Sequence, residues 1–388
     1  MTLRLVIAPD SFGGALDSVA VADAIATGWL RARPGDTVLR APMSDGGEGT
    51  LAAVAAALGE RAERRSLATQ DPLGRPIVAD WLLIDGGRSA FIEMATASGL
   101  ARLAAGERTP ASVRAASTRG SGELIRAALA AGVQRITLGL GGSATNDGGA
   151  GLLTALGVRF LDAAGDELAP GGAALAAVAA IDTSGLDPRL GTVELVIASD
   201  VTNPLCGPGG ASTVYGPQKG ADPATVRELD EALGAFGRAA ESATGRSVAL
   251  VPGAGAAGGT TAGLLAFTAA SLRPGVQVVA EMIGLPAMLV GADLVITGEG
   301  RADAQTLAGK AAAGVAGMAR AAGAAVVLLC GALGPGAEAL ERAGLFDLVQ
   351  PIVDRPMPLA DAMAGTERLL VSAAERLARA VTLGARSA

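Results

Sequence analysis

The chain has 388 residues, 50% of them hydrophobic, with no histidine, two cysteines and a formal net charge of −7. That length suits two domains or one large one, and the missing histidine removes every mechanism that needs an imidazole, from Ser-His-Asp nucleophiles to His-ligated zinc. A net acidic chain with 2% aromatic residues lacks the basic footprint and stacking platforms of a nucleic-acid binder, while Cys206 and Cys330, which form no CxxC pair, point to a reducing cytoplasm.

The N-terminus, MTLRLVIAPDSF, carries Arg4 and reaches Pro9 and Asp10 too soon for the apolar core of a secretion signal. Its LRLVI run reads as a buried strand that ends in a polar turn. Residues 18–31 place Val21, Ala24, Ile25 and Leu30 on one face behind a serine start, the pattern of a capped helix, and 50–58 is similar. From 66 to 92 the pattern alternates, with a turn signal at Pro72, Leu73 and Gly74, which predicts antiparallel strands. A helix over 122–131 leads into the apolar run and Gly-rich turn of RITLGLGGSATND, and VELVIASDVTN over 193–203 has the same form. Asp222 and Pro223 supply the N-cap and first position of a helix over 223–243.

Residues 247–272 carry no charge over a length that could cross a bilayer. Pro252, Gly253, Gly255, Gly258 and Gly259 interrupt them, however, and leave about a dozen continuous helical residues where roughly 20 are needed, so a buried segment and no membrane partner are expected. Two more apolar runs, DLVITGEGRAD over 293–303 and AAVVLLCGALG over 324–334, precede an amphipathic helix over 359–383. Apolar runs that end in small, polar turns and alternate with Ala-rich helices read as parallel strands buried on both faces, an α/β fold. The return to this pattern near the C-terminus places 1–65 and 285–388 in one α/β domain, with 66–284 inserted as a second.

In such sheets ligands sit beyond the carboxyl ends of the strands. The turn that holds Gly141, Gly142, Ser143, Ala144, Asn146 and Asp147 frees backbone N–H groups to face an anion ahead of a helix, which suits phosphate. Its spacing fits neither a Walker A loop nor a dinucleotide fingerprint. Asp45, Glu48, Asp147 and Asp200 stand at strand ends or helix starts, where they serve either as caps or as oxygen ligands of Mg²⁺ and a base for a hydroxyl. No metal ligand is singled out. Lys219 and Lys310 are the only lysines beside 29 arginines. The turn over 297–310 adds Glu299, Arg301, Asp303, Gln305 and Thr306 to Lys310; Arg301 offers a planar fork for a carboxylate or phosphate, and Lys310 a point charge.

Seven segments in order, IAPDSF, DGGEGT, GGSATNDGGAG, DVTNPL, GPQKGA, PGAGAAGG and ITGEGR with its QTL-x-GK continuation, resemble the bacterial glycerate kinase family across nearly the whole chain. The resemblance implies a flavodoxin-like domain built from both chain ends, an inserted partner domain, and a site in the cleft. It also implies ATP-dependent phosphorylation of D-glycerate, to 2-phosphoglycerate or 3-phosphoglycerate, in glycolate or sugar-acid breakdown. On that basis Gly141, Gly142, Ser143, Ala144, Asn146 and Asp147 hold the nucleotide phosphates. Lys219 and Lys310 offset the charge on the transferred group, and Arg301 binds the glycerate carboxylate. Asp200 is the first choice of base and Asp303 the second, while Asp10, Ser11, Asp45, Gly46, Gly47 and Glu48 complete the substrate site. ATP and Mg²⁺ are the implied cofactors, and the oligomeric state is left open.

The chain departs from the family where relatives read PDSFK and it reads PDSFGG, so Gly13 stands in place of a lysine; Ala308 replaces a frequent histidine. Loss of a charge-assisted contact there would cost about 1.5–3 kcal/mol. This leaves a weakened relative that binds a hydroxy acid or nucleotide without efficient turnover as the alternative to an active kinase. A nicotinamide enzyme is a third reading, resting only on the Gly-rich turns.

Overall fold

The computed structural model describes residues 2–307 and 311–387. Thirteen strands run through the described residues. They are β1 (Arg4–Ile7), β2 (Thr37–Arg40), β3 (Ala62–Gln70), β4 (Pro76–Ile84), β5 (Ser89–Glu93), β6 (Arg135–Gly139) and β7 (Arg159–Leu161), followed by β8 (Ala180–Asp182), β9 (Glu194–Ala198), β10 (Ser271–Arg273), β11 (Leu294–Ala302), β12 (Ala325–Leu333) and β13 (Leu348–Pro351). The chain divides into two compact units, one made of Met1–Asp45, Ala52–Gly59 and Val276–Ala388 and the other of Gly46–Leu51 and Glu60–Gly275.

These limits differ from 1–65 and 285–388 against 66–284 for local reasons. β3 starts at Ala62 and pairs along its length with β4, which draws 60–65 into the second unit. In the helix Gly275–Ile283, Val276 presses its side chain on Gly314, which draws 276–284 into the first. The hexapeptide Gly46–Leu51 belongs with the second unit although both of its flanks belong to the first.

The first unit holds one parallel sheet in the order β13-β12-β11-β1-β2. Counted along this unit alone, that is the doubly wound order 2-1-3-4-5, the flavodoxin-like arrangement, whose switch point lies between β1 and β11. Leu5, Val6 and Ile7 are wholly buried, as the continuous apolar run requires, and Leu5 pairs with Leu294. One face is covered by Val21, Ile25 and Trp29 of the helix Ser18–Ala32 and by Leu369, Ala373 and Leu377 of the helix Thr366–Ser387. Gly28 lets these two helices approach closely, since a Cβ there would meet the Val371 carbonyl. The helix expected over 359–383 is two helices, Leu359–Ala364 and Thr366–Ser387, parted at Gly365.

The second unit holds a six-stranded sheet in the order β10-β9-β6-β5-β4-β3. β3, β4 and β5 are antiparallel neighbours, and β5, β6, β9 and β10 run parallel. The helix Pro223–Thr244 starts as its sequence demands: the Asp222 side chain accepts from the Thr225 amide at 2.8 Å, and Gly245 ends the helix at φ +71. The uncharged stretch 247–272 yields the helix Ala256–Phe267, whose Ala257, Gly258 and Gly259 have left-handed backbone, and the start of β10. No helix among the described residues is long and apolar enough to cross a membrane.

Candidate active site

In the first unit, the carboxyl ends of β1, β11, β12 and β13 open on a cavity of about 500 Å³. The backbone that leaves β1 is kept against β11, because the Asp10 amide donates to the Gly298 carbonyl at 2.8 Å. It then closes a tight turn in which the Phe12 amide donates to Leu16, with Gly13 and Gly14 both at positive φ. Asp10, Asp45, Glu299 and Arg301 all line this cavity. Burial raises the Asp10 pKa to about 7, helped by the charges of Asp45 and Glu299 and opposed by the hydrogen bonds from Ser11.

The segment after β11 is knotted by its own polar groups. The Thr306 hydroxyl donates to Glu299 Oε1 at 2.6 Å, and the Asp303 amide donates to Thr306 Oγ1 at 3.1 Å. Asp303 Oδ1 accepts from the Gln305 amide at 2.9 Å, while Oδ2 lies 3.4 Å from Arg301 Nε. Arg301 is exposed and is among the residues that line the cavity. Lys310 and Ala308 lie outside the described residues.

In the second unit, two glycine turns interlock. Gly141 donates its amide to the Gly46 carbonyl at 3.2 Å, and a Cβ on Gly141 would stand 2.2 Å from the Gly47 Cα. A Cβ on Gly142 would touch those of Glu48 and Ala95. The segments DGGEGT and GGSATNDGGAG, far apart in sequence, are therefore neighbours here through Gly46, Gly47 and Glu48. Of the loop, Gly142 is exposed and Gly141 half-buried, whereas Ser143, Ala144, Asn146 and Asp147 are buried.

The buried polar residues work inside the loop. Asp147 accepts from the Thr118 amide at 2.8 Å and hydroxyl at 2.9 Å, and from the Gly149 and Gly151 amides at 3.2 Å. It thus pins two helix starts, the capping role that its position allowed; burial still pushes its pKa up. Asn146 Nδ2 donates to Ser212 Oγ at 2.9 Å. The Lys219 ammonium is also buried, donating to Ser143 Oγ at 3.0 Å and to the Thr145 carbonyl at 2.6 Å. Burial lowers its pKa to about 8 against the opposing charge of Asp147. Its charge therefore meets the loop from within.

Asp200 is half-buried at the end of β9, and its Oδ1 accepts from the Gly275 amide at 2.9 Å. Glu93 is a residue that sequence reasoning passed over. Its carboxylate accepts from the Gly49 amide at 3.1 Å and the Leu51 amide at 2.8 Å, and burial raises its pKa. A glutamate that closes the apolar strand AFIE was the only signal for it. Among the described residues no group of three or more acidic or thiol side chains could hold a metal ion.

Comparison with known proteins supplies the context. Residues 5–382 match the glycerate kinase family. A glycerate kinase of Halalkalibacterium halodurans is 46% identical over 96% of this chain and 97% of its own. The glycerate 2-kinase of Escherichia coli K12 is 41% identical over the full length of both. A crystal structure from Salmonella typhimurium LT2, described as a candidate glycerate kinase 2, superposes with a TM-score of 0.86 at 41% identity and covers both chains completely.

Proposed function

This chain belongs to the glycerate kinase family, and on that premise we propose that it transfers the γ-phosphoryl group of ATP to D-glycerate and releases 2-phosphoglycerate. The observation that carries the reading is the end-to-end match with a glycerate 2-kinase, which leaves no part of the chain unaccounted for. The choice of 2-phosphoglycerate over 3-phosphoglycerate rests on that relative. A place in the breakdown of glycolate or sugar acids rests on the family resemblance alone. Two free thiols, Cys206 and Cys330, support the cytoplasm as compartment.

Phosphoryl transfer draws its rate from positioning and charge neutralisation. The Gly141 and Gly142 amides, which lie at the surface of the loop, are the groups we assign to the nucleotide phosphates. Lys219 supports them from inside by fixing Ser143 and Thr145. Arg301, exposed at its cavity, takes the glycerate carboxylate. Mg²⁺ in such reactions is held largely by the phosphates and water, with one or two carboxylates, so the absence of a three-carboxylate cage among the described residues is compatible with it.

The test is direct. Purified protein with Mg-ATP and D-glycerate should release ADP, and phosphorus NMR of the product should show 2-phosphoglycerate. A 3-phosphoglycerate resonance alone would overturn the regiochemistry, and ADP release no faster with D-glycerate than without it would overturn the reading itself.

A further inference from the structure

Four carboxylates stand near the carboxyl ends of strands, and their surroundings separate them: Asp10 and Glu299 line the cavity of the first unit, whereas Asp200 and Asp303 do not. Glu299 Oε1 is taken by the Thr306 hydroxyl. Asp303 is held by the Gln305 amide and Arg301. Asp200, the first choice from sequence, gives Oδ1 to the Gly275 amide and thereby fastens the start of a helix. Asp10 accepts at Oδ1 from its neighbouring Ser11 amide at 2.6 Å, and it lines the cavity beside Asp45, Glu299 and Arg301. It also stands at the β1–β11 switch point, where a doubly wound sheet receives its ligand.

We propose that Asp10 is the general base of the reaction, taking the proton of the D-glycerate hydroxyl that attacks ATP. The inference rests on the kinase reading above. The hydroxyl oxygen forms a bond to the γ-phosphorus as the bond from that phosphorus to the β,γ-bridging oxygen breaks. ADP leaves with the electron pair, and the hydroxyl proton passes to Asp10 and then to solvent. The short substrate makes the placement workable: a three-carbon acid held by its carboxylate on Arg301 keeps its hydroxyls within the cavity that Asp10 lines.

The charges that face Asp10 suit the task. Asp45, beyond β2, and Glu299, on β11, raise its proton affinity; Ser11 lowers it, and Arg301 of β11 lines the same cavity. β12, Ile352 and Val353 after β13, and the helices Leu359–Ala364 and Thr366–Ser387 add only uncharged side chains to the lining. A base whose proton affinity lies near the working pH gives the best product of ionised fraction and driving force.

The experiment compares the wild-type enzyme with Asp10→Asn, Asp45→Asn and Asp200→Asn at saturating Mg-ATP, reading kcat and kcat/KM for D-glycerate from pH 5 to 9. Asp10→Asn should lower kcat by about 100-fold or more and abolish the acid limb of the wild-type profile. Asn can still accept the Ser11 amide, and an unchanged circular dichroism spectrum excludes misfolding as the cause. In Asp45→Asn, which removes one of the facing charges, the acid limb should move to lower pH whatever the absolute rate. Asp200→Asn should keep its acid limb at the wild-type pH. Asp10→Asn turning over within a few-fold of wild type, or an acid limb that stays in place in Asp45→Asn, would overturn the proposal. A wild-type enzyme without D-glycerate-dependent ADP release would overturn the kinase reading instead.

Discussion

The ammonium of Lys219 donates to the carbonyl oxygen of Thr145 across 2.6 Å, in a place where almost none of the lysine is exposed. Lys219→Met removes that donor and should destabilise the protein by about 1–3 kcal/mol at neutral pH. The native lysine gives up its proton near pH 8, the unfolded one at 10.5. Between these values the unfolded chain binds more protons, so this residue's contribution to stability rises with pH. Denaturant titrations at a series of pH values should show that rise in the wild type and its absence in Lys219→Met.

Gly141→Ala places a methyl group 2.2 Å from the Gly47 Cα, a distance that only backbone movement relieves. The two glycine turns must part. We expect a stability loss of about 1–3 kcal/mol, together with a rise in KM for ATP that exceeds the rise for D-glycerate. An alanine variant with unchanged KM for both substrates would detach this loop from the nucleotide.

Gly13→Lys, which supplies the lysine expected from the family resemblance, meets no steric obstacle, since nothing lies within 4 Å of its Cβ. The obstacle is conformational. Gly13 has φ +33 and Gly14 has φ +78, so a lysine here costs about 1–2 kcal/mol in backbone strain. Thermal unfolding should show the loss, and Gly13→Asn, better tolerated in left-handed backbone, should show a smaller one. Any gain in turnover by Gly13→Lys would thus appear in a less stable enzyme.

Asp10 should also reveal itself in stability. Its pKa is about 7 when folded and 3.8 when not, so the folded state binds more protons between those values and stability on this account falls as pH rises through 7. Asp10→Asn should therefore be more stable than wild type at pH 8, on the order of 1–4 kcal/mol, with the advantage vanishing towards pH 4. Chemical denaturation at pH 8 and pH 4 checks both ends.

The parallel strands were legible because strands buried on both faces must be apolar without interruption. β1, β9, β11 and β12 each contain such a run. The short strand β10, by contrast, reads SLR and takes its place only by pairing with β9. Glycine turns were legible as turns, but the contact of Gly47 with Gly141 joins segments too distant for local pattern to reveal. Scarcity drew attention to Lys219, yet whether its charge faces solvent or the loop depends on packing. Asp10 read as one polar residue among several; its proton affinity comes first from burial and then from Asp45, with a smaller part from Glu299, which the chain supplies far downstream.

That distance also sets an order of events during synthesis. β1 occupies an interior position between β2 and β11, and Leu5 must wait for Leu294 to leave the ribosome before its second edge is paired. At 5–20 residues per second the delay is roughly 15–60 s, during which the whole of Glu60–Gly275 emerges and can fold. An apolar strand with an open edge is a hazard in that interval. The second edge of β1 is therefore closed only once β11 has been made, before β12 and β13.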